Sequence, residues 1–396
     1  MKKNKIIIFT ILILFFGIAI ASWLTLSKSS TGSNSTSTAV ATFDSSDEKT
    51  EYTTASSEIN LSDYESGSVV KIDSAGDYIL TGELSDGQVV VNVGDDDKVQ
   101  LYLNNVTITN NSGSAILVEN AKKVIITLNE GTNNHLTDGG ESDATIFSHD
   151  DLTINGDGYL TVNSNYANAI ESRDDLKITG GNITITAVNT GLFGNNSFET
   201  KDATINIVAQ ADAIHSDGNI IIESGTLTLS AGDDGVHADG ALTINDGTIT
   251  VEQSYEGLEA TDVIINGGTI NVTSTEDGIN GAGGNDTATT QDRFMNTTGS
   301  ITINGGEIFI TPATSGNGDG VDSNGTLTIT GGDLVVKVPA TYRDYSSMDY
   351  ETSFSMTGGQ VRLLNTDGSY TEVTEDNVSS VAGMGGGMPG MGGGRR

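Results

Sequence analysis

The chain has no cysteine among its 396 residues. That excludes a disulfide framework, a thiolate metal site and the acylated cysteine of a bacterial lipoprotein. Proline is almost as scarce, with 3 residues against 50 glycines, so the glycines do not belong to a proline-rich disordered tract. Cationic side chains are few: 18 Lys and Arg face 53 Asp and Glu, a net charge of −35. Such a surface repels nucleic acid and anionic lipid and attracts cations, so nucleic acid is not an expected partner. The single tryptophan, Trp23, lies in an apolar N-terminal run, which leaves the rest of the chain without an indole platform. No segment after residue 27 sustains a helical period, so an α-helical domain is excluded.

The N-terminus reads MKKNKIIIFTILILFFGIAIASWL. Lys2, Lys3 and Lys5 precede the apolar run, and Ala19-Ile20-Ala21 matches a small-residue cleavage site. The run is also long enough for an uncleaved anchor. Residues 1–27 are therefore expected to be a signal peptide or a membrane anchor, and the body to be exported: secreted, or held at the cell surface. Residues 28–57 are Ser/Thr-rich and read as a linker, and residues 58–381 as the folded domain. Residues 382–396, AGMGGGMPGMGGGRR, read as a disordered Gly/Met-rich tail.

Within 58–381 a glycine follows each aliphatic run. The series is Gly158, Gly181, Gly225, Gly247, Gly268, Gly306, Gly332 and Gly359, with Ala203 at the one step lacking glycine. Between these corners lie two short alternating runs rich in Thr, Ile and Val, the strand pattern. Strands this short bury no core alone. Stacked as coils, each pairs with its equivalents ~4.8 Å above and below. Propeller blades need about 40 residues, and leucine-rich repeats need a helix or a leucine ladder. The spacing thus predicts an all-β fold, a right-handed parallel β-helix of ~22 residues per coil, with the hand following from parallel crossover connections.

In that fold, residues one period apart form columns. One column runs Asn168, Asp212, Asp234, Glu256, Asp277, Asp319, and a second Glu171, His215, His237, Glu259, Asn280, Asp322. Asp217, Asp239 and Asn324 form a third. Stacked carboxylates repel by roughly 1–3 kcal/mol per pair, and a divalent cation reverses the sign. Oxygen donors in flexible geometry suit Ca²⁺. The expected calcium ligands are Asp212, Asp234, Glu256, Asp277 and Asp319, with Asp217, Asp239 and Asp322 beside them. His215 and His237 also suit a transition metal, but read first as hydrogen-bonded members of the ladder. NGDGVDSNG at 317–325 fails the EF-hand spacing, since Val321 stands where a ligand is needed. Three longer loops leave the repeat at 280–300, 312–318 and 337–353, and GLFGNNSFET at 191–200 reads as a polar turn. Tyr342, Arg343 and Tyr345 in the last loop, with Tyr255 beside Glu256, are the candidates for stacking on sugar.

The stretch GDYILTGELSDGQVVVNV, opening at Gly76, with GTNNHLTDG, DDLTINGDGYLTV and the Gly/Met tail, resembles a bacterial family of exported carbohydrate-binding proteins. A cellulose- and pectin-binding protein of a cellulosome-producing bacterium represents that family. The resemblance spans roughly residues 58–396. It implies a parallel β-helix similar to pectate lyases, calcium at inter-coil carboxylates, and binding of acidic plant polysaccharide such as polygalacturonate without catalysis. No duplicated dockerin-type calcium loop is found, which sets cellulosome attachment aside.

Three functions follow as expectations. The first is a monomeric, non-catalytic polysaccharide-binding protein in which calcium bridges protein and sugar carboxylates. The second is a calcium-dependent polysaccharide lyase, which needs a base such as Arg173 facing bound uronate, or a hydrolase with paired carboxylates. The third is a structural or adhesive surface protein whose solenoid serves as a spacer.

Overall fold

The computed structural model describes residues 41–53, 56–282, 299–312, 318–340 and 345–381. Their strands form a parallel β-solenoid of about 12 turns with ~24 residues per coil. The period exceeds the expected one because some coils are long: Leu101 pairs with Ile126, Ile126 with Ile154, and Val263 with Ile301. From Ile178 through Thr200, Ile222 and Ile244 the spacing settles at the expected 22-residue step.

Each coil contributes three strands rather than the two read from the sequence. One stack contains Lys123–Leu128, Asp151–Gly156, Asp175–Ile178, Ser197–Thr200 and Asn219–Ile222. A second contains Tyr159–Asn163, Asn182–Ala187, Thr204–Ala209, Thr226–Ser230 and Thr248–Gln253. The third contains Asn168–Ser172, Leu192–Gly194, Ile214–Ser216, the starts of Val236–Ile244 and Leu258–Ile265, Ile279–Gly281, Val321–Ser323 and Asp349–Tyr350. Several of its strands are three residues long, too short to show a period of 2. The segment 191–200, read as a polar turn, supplies two strands, with Phe198 fully buried in an aliphatic column.

The inward positions stack aliphatic on aliphatic. Leu152, Leu176, Phe198, Ile220, Leu242 and Val263 are one such column, all at zero exposure. Burial of this continuous apolar core drives the fold. The repeating corner takes the left-handed backbone, as at Gly225 with φ +111°, where a Cβ would also meet the Ala203 carbonyl oxygen at 2.6 Å. At the step without glycine the positive φ moves one residue back, to Asp202 at 55°. Asp tolerates that conformation better than most residues. At the C-terminal end Tyr370–Val373 pairs antiparallel with Gln360–Leu364, which covers the open edge of that strand.

Part of the stretch read as a linker, residues 41–53, lies along the outer side of the first stack. Thr42 meets Glu199 and Lys177, and Ala41 donates its N–H to Glu223 at 2.8 Å. Asp47 meets Lys123, Thr153 and Asn155. The main-chain oxygens of Lys49 and Glu51 accept from Gln100 at 2.7 Å and Tyr102 at 2.9 Å.

Candidate functional site: a carboxylate and histidine ladder

The third stack carries the columns foreseen from the sequence. Pairing runs Phe147, Glu171, Phe193, His215, His237, Glu259, Asn280, Asp322, Asp349. The expected second column is thus continuous. Phe193 fills the step that the sequence reading skipped, and Asp349 extends it. His215, His237, Glu259, Asn280 and Asp322 each follow a strand residue that points inward: Ile214, Val236, Leu258, Ile279 and Val321, all at zero exposure. Alternation therefore forces the polar residue outward.

The first column lies at the turn before these strands, and it is held by the backbone. The N–H of Asp234 donates to Asp212 Oδ1 at 3.0 Å, and that of Glu256 to Asp234 Oδ1 at 3.1 Å. Asp319 donates likewise to Asp277, and Ser346 to Asp319. Each aspartate thus takes the amide one coil on. Glu256, longer by a methylene, instead accepts Asn280 Nδ2 at 2.7 Å.

Electrostatically the ladder divides in two. Toward the N-terminus it contains its own donors. Asp212 Oδ2 lies 2.8 Å from His215 Nδ1, and Asp234 Oδ2 lies 3.0 Å from His237 Nδ1. Burial alone would raise the Asp212 carboxyl, but the His215 imidazole and the Asp234 amide outweigh it and hold it below its ordinary value. Glu171 is paired with Arg173 at 3.2 Å and accepts Asn168 Nδ2 at 2.8 Å.

Toward the C-terminus no cation balances the acids among the described residues. Burial, then the charges of Glu259 and Asp234, push Glu256 well above its ordinary value. Burial, then Glu256 and Asp322, do the same to Asp277. Asp319 is pushed up to about 8 by burial and by Asp277 and Asp322, and Asp322 to about 6 by burial and by Asp349 and Glu351. Oxygens of Asp277, Asp319 and Asp322 lie within 4.8 Å of one another, as do those of Asp234, Glu256 and Glu259. Asn280, 6% exposed, stands between these groups, and its Oδ1 is buried without a hydrogen bond. An acceptor left among acceptors, with carboxylates on several sides, is a donor set for a hard divalent cation.

The remaining sequence candidates are scattered. Asp217 and Asp239 stand on the outer side of the histidines, 3.5 Å from His215 Nε2 and 3.3 Å from His237 Nε2. Tyr255 is 45% exposed beside Glu256. Tyr345 is half-buried, with its hydroxyl donating to the Lys337 carbonyl at 3.3 Å. Tyr342 and Arg343 lie outside the described residues, as do the tail and most of the 280–300 loop. The sequence reading missed Tyr166, 52% exposed two residues before Asn168, whose only signal was an aromatic in a polar turn.

Three comparisons relate the chain to known proteins. A carbohydrate-binding domain-containing protein of Acetivibrio thermocellus is 43% identical over 128 residues, 30% of this chain and 45% of that protein. The chain therefore spans less than half the length of that relative. A solved structure described as the polysaccharide lyase-like protein from C. thermocellum, gadolinium derivative, is 28% identical. That similarity covers 76% of this chain and 88% of that one, with a TM-score of 0.34. The family model for carbohydrate-binding domain-containing proteins matches residues 66–313, which take in most of the solenoid and the ladder as far as Asn280. The chain belongs to the family of carbohydrate-binding domain-containing proteins.

Proposed function

We propose that the protein binds an acidic polysaccharide of the polygalacturonate type without cleaving it, through Ca²⁺ held between coils by Glu256, Glu259, Asp277, Asn280, Asp319 and Asp322. One observation carries this reading: the carboxylates of Asp277, Asp319 and Asp322 converge with no cation to balance them among the described residues, beside the buried, unbonded Oδ1 of Asn280. A chain of charge −35 repels polyuronate. An ion shared by protein and sugar carboxylates turns that repulsion into attraction. Asp212 and Asp234 serve this site by position rather than as ligands, since their oxygens already take an amide and an imidazole. Tyr166 and Tyr255 sit four coils apart at the turn leading into the same stack, ~19 Å at the strand spacing. They offer two apolar faces for a sugar chain running along the solenoid axis.

A lyase reading meets two obstacles. Arg173 is held by Glu171 at 3.2 Å and Asp143 at 3.1 Å, and its guanidinium lies over the Phe147 ring. It is also five coils from Asn280, ~24 Å at the strand spacing, whereas a base must reach the proton it removes. Export through residues 1–27 and a surface or secreted location belong to the same proposal.

The test is calorimetric titration of the purified full-length chain with oligogalacturonate, in calcium and again in EDTA. Binding that depends on calcium and produces no unsaturated uronide supports the reading. Binding unchanged by EDTA removes the bridging mechanism, and no binding in calcium removes the substrate class.

A further inference from the structure

We infer that His215 and His237, with Asp239 and Asp217, form a second metal site, for one divalent transition cation of the zinc class. The site stands whether or not calcium or polysaccharide binds further along the ladder.

The two imidazole rings are stacked, 4.7 Å between centroids and 11° between planes, because the residues occupy equivalent places in adjacent coils. Phe193 meets the outer face of His215 edge-on at 5.1 Å, and Glu259 follows His237 on the other side. The inner nitrogens face carboxylates: Asp212 Oδ2 lies 2.8 Å from His215 Nδ1, while Asp234 Oδ2 at 3.0 Å and Glu259 Oε2 at 3.3 Å lie beside His237 Nδ1. An ionised carboxylate only accepts, so the inner nitrogen of each ring carries the hydrogen. This is the outer-shell arrangement that fixes the tautomer of metal-binding histidines and raises their basicity, and here it occurs twice.

Both outer nitrogens then present lone pairs on the same side. His215 Nε2 is shut off from solvent, makes no hydrogen bond, and lies 3.5 Å from Asp217 Oδ1. His237 is completely buried, and its Nε2 lies 3.3 Å from Asp239 Oδ1. His215, His237 and Asp239 each offer an atom within 4.8 Å of the other two. With neutral rings, nitrogen lone pairs face carboxylate oxygens. With both rings protonated, two cations stack 4.7 Å apart. One divalent ion between Nε2, Nε2 and Oδ1 removes both conflicts.

Two imidazoles and one or two carboxylates suit zinc, with metal–nitrogen distances of about 2.0–2.1 Å, whereas calcium takes oxygen donors. A tetrahedral ion brings the nitrogens to about 3.4 Å of each other. Binding therefore tilts the outer edges of the rings together while the inner edges stay hydrogen-bonded. Asp217 and Asp239 are partly exposed, with side chains at 48% and 39%, so the ion keeps a path to solvent and a position for an outside ligand.

The experiment uses the full-length chain, stripped with chelator and returned to saturating Ca²⁺ so that the acidic cluster is occupied. Zn²⁺ is titrated calorimetrically, and Co²⁺ is followed by visible absorption. One zinc per chain and the intense bands of four-coordinate cobalt are expected. His215→Gln should abolish both signals, and Asp239→Asn, at a partly exposed position, should weaken zinc at least about tenfold. Thermal melting confirms that each variant is folded. The inference is overturned if the wild-type protein shows neither zinc heat nor cobalt bands. It is equally overturned if both variants bind like the wild type, or if Asp277→Asn rather than Asp239→Asn removes the signal.

Discussion

Asp47 and Lys123 form an ion pair with almost no access to water: their side chains are 0% and 6% exposed. Asp47 belongs to the segment 41–53 and Lys123 to the first strand stack, so the pair fastens that segment to the solenoid. The carboxylate also accepts from the Thr153 hydroxyl, and the Asp47 carbonyl accepts from Asn155 and Thr179.

Removing one partner of such a pair strands the other. Asp47→Ala leaves the buried ammonium of Lys123 with only the exposed Asp44 carboxylate, 3.6 Å away, as counterion, a loss of about 3 kcal/mol, at the low end for a broken buried pair. Chemical denaturation should show a drop of that size. Asp47→Ala combined with Lys123→Met should recover a large part of it, because no uncompensated charge then remains. A single variant as stable as the wild type would mean that the segment is not fastened here.

Much of the fold was legible, for a physical reason. A solenoid converts sequence period into contact, so His215, His237, Glu259, Asn280 and Asp322 could be stacked from their spacing alone. The third strand stack escaped notice because three residues such as Ile214–Ser216 cannot display an alternation. The docking of residues 41–53 left little signature, since much of it runs through the main-chain oxygens of Asp47, Lys49 and Glu51, which any side chain would supply. The division of the ladder was hidden for another reason. Spacing reveals that acids are stacked, but not that Asp212 and Asp234 each meet an imidazole while Asp277 and Asp319 do not.

That division predicts how stability changes with pH. The Asp319 carboxyl rises from 3.8 to about 8 on folding, and Asp322 to about 6. A group with a raised folded value binds its proton more tightly in the folded chain. Its contribution is present in full below about 4 and is lost as pH climbs toward 8. In EDTA, the melting temperature should fall between these limits. Saturating calcium should flatten the curve by taking the proton's place. A curve in EDTA that rises over this window would show that the cluster is not strained by its own charge.

The same reasoning separates charge from ligation at Asp277. In EDTA, Asp277→Asn removes one of the repelling carboxylates and should raise the melting temperature at pH 8. In calcium it removes a proposed ligand and should weaken the ion at least about tenfold, so the order of stability reverses. Calorimetry with Ca²⁺ and melting in both media measure the two effects. A variant less stable than the wild type in EDTA would show that the bond from the Asp319 amide to Asp277 outweighs the repulsion.

Within the core, Thr200 stands in the aliphatic column between Ile178 and Ile222, and its hydroxyl is buried without a hydrogen bond. Thr200→Val keeps the shape and removes the unsatisfied group, and should stabilise the protein by about 1–2 kcal/mol in denaturant unfolding. No gain would indicate that a water reaches the hydroxyl from inside the coil.

Tyr255 separates sugar contact from metal contact. Its ring is 45% exposed, and it precedes Glu256 in the turn that leads into the third stack. If the ring packs against the pyranose while calcium holds the carboxylate, Tyr255→Ala should weaken oligogalacturonate roughly three- to tenfold, the range of one aromatic contact. It should leave the calcium affinity and the melting temperature where they were, because the side chain contributes little to the core. Tyr255→Phe should bind nearly as well as the wild type, since the face rather than the hydroxyl makes the contact. Equal sugar affinity in the alanine variant would confine recognition to the ions and the acidic ladder. A fall in calcium affinity would instead make the tyrosine part of the metal site's support.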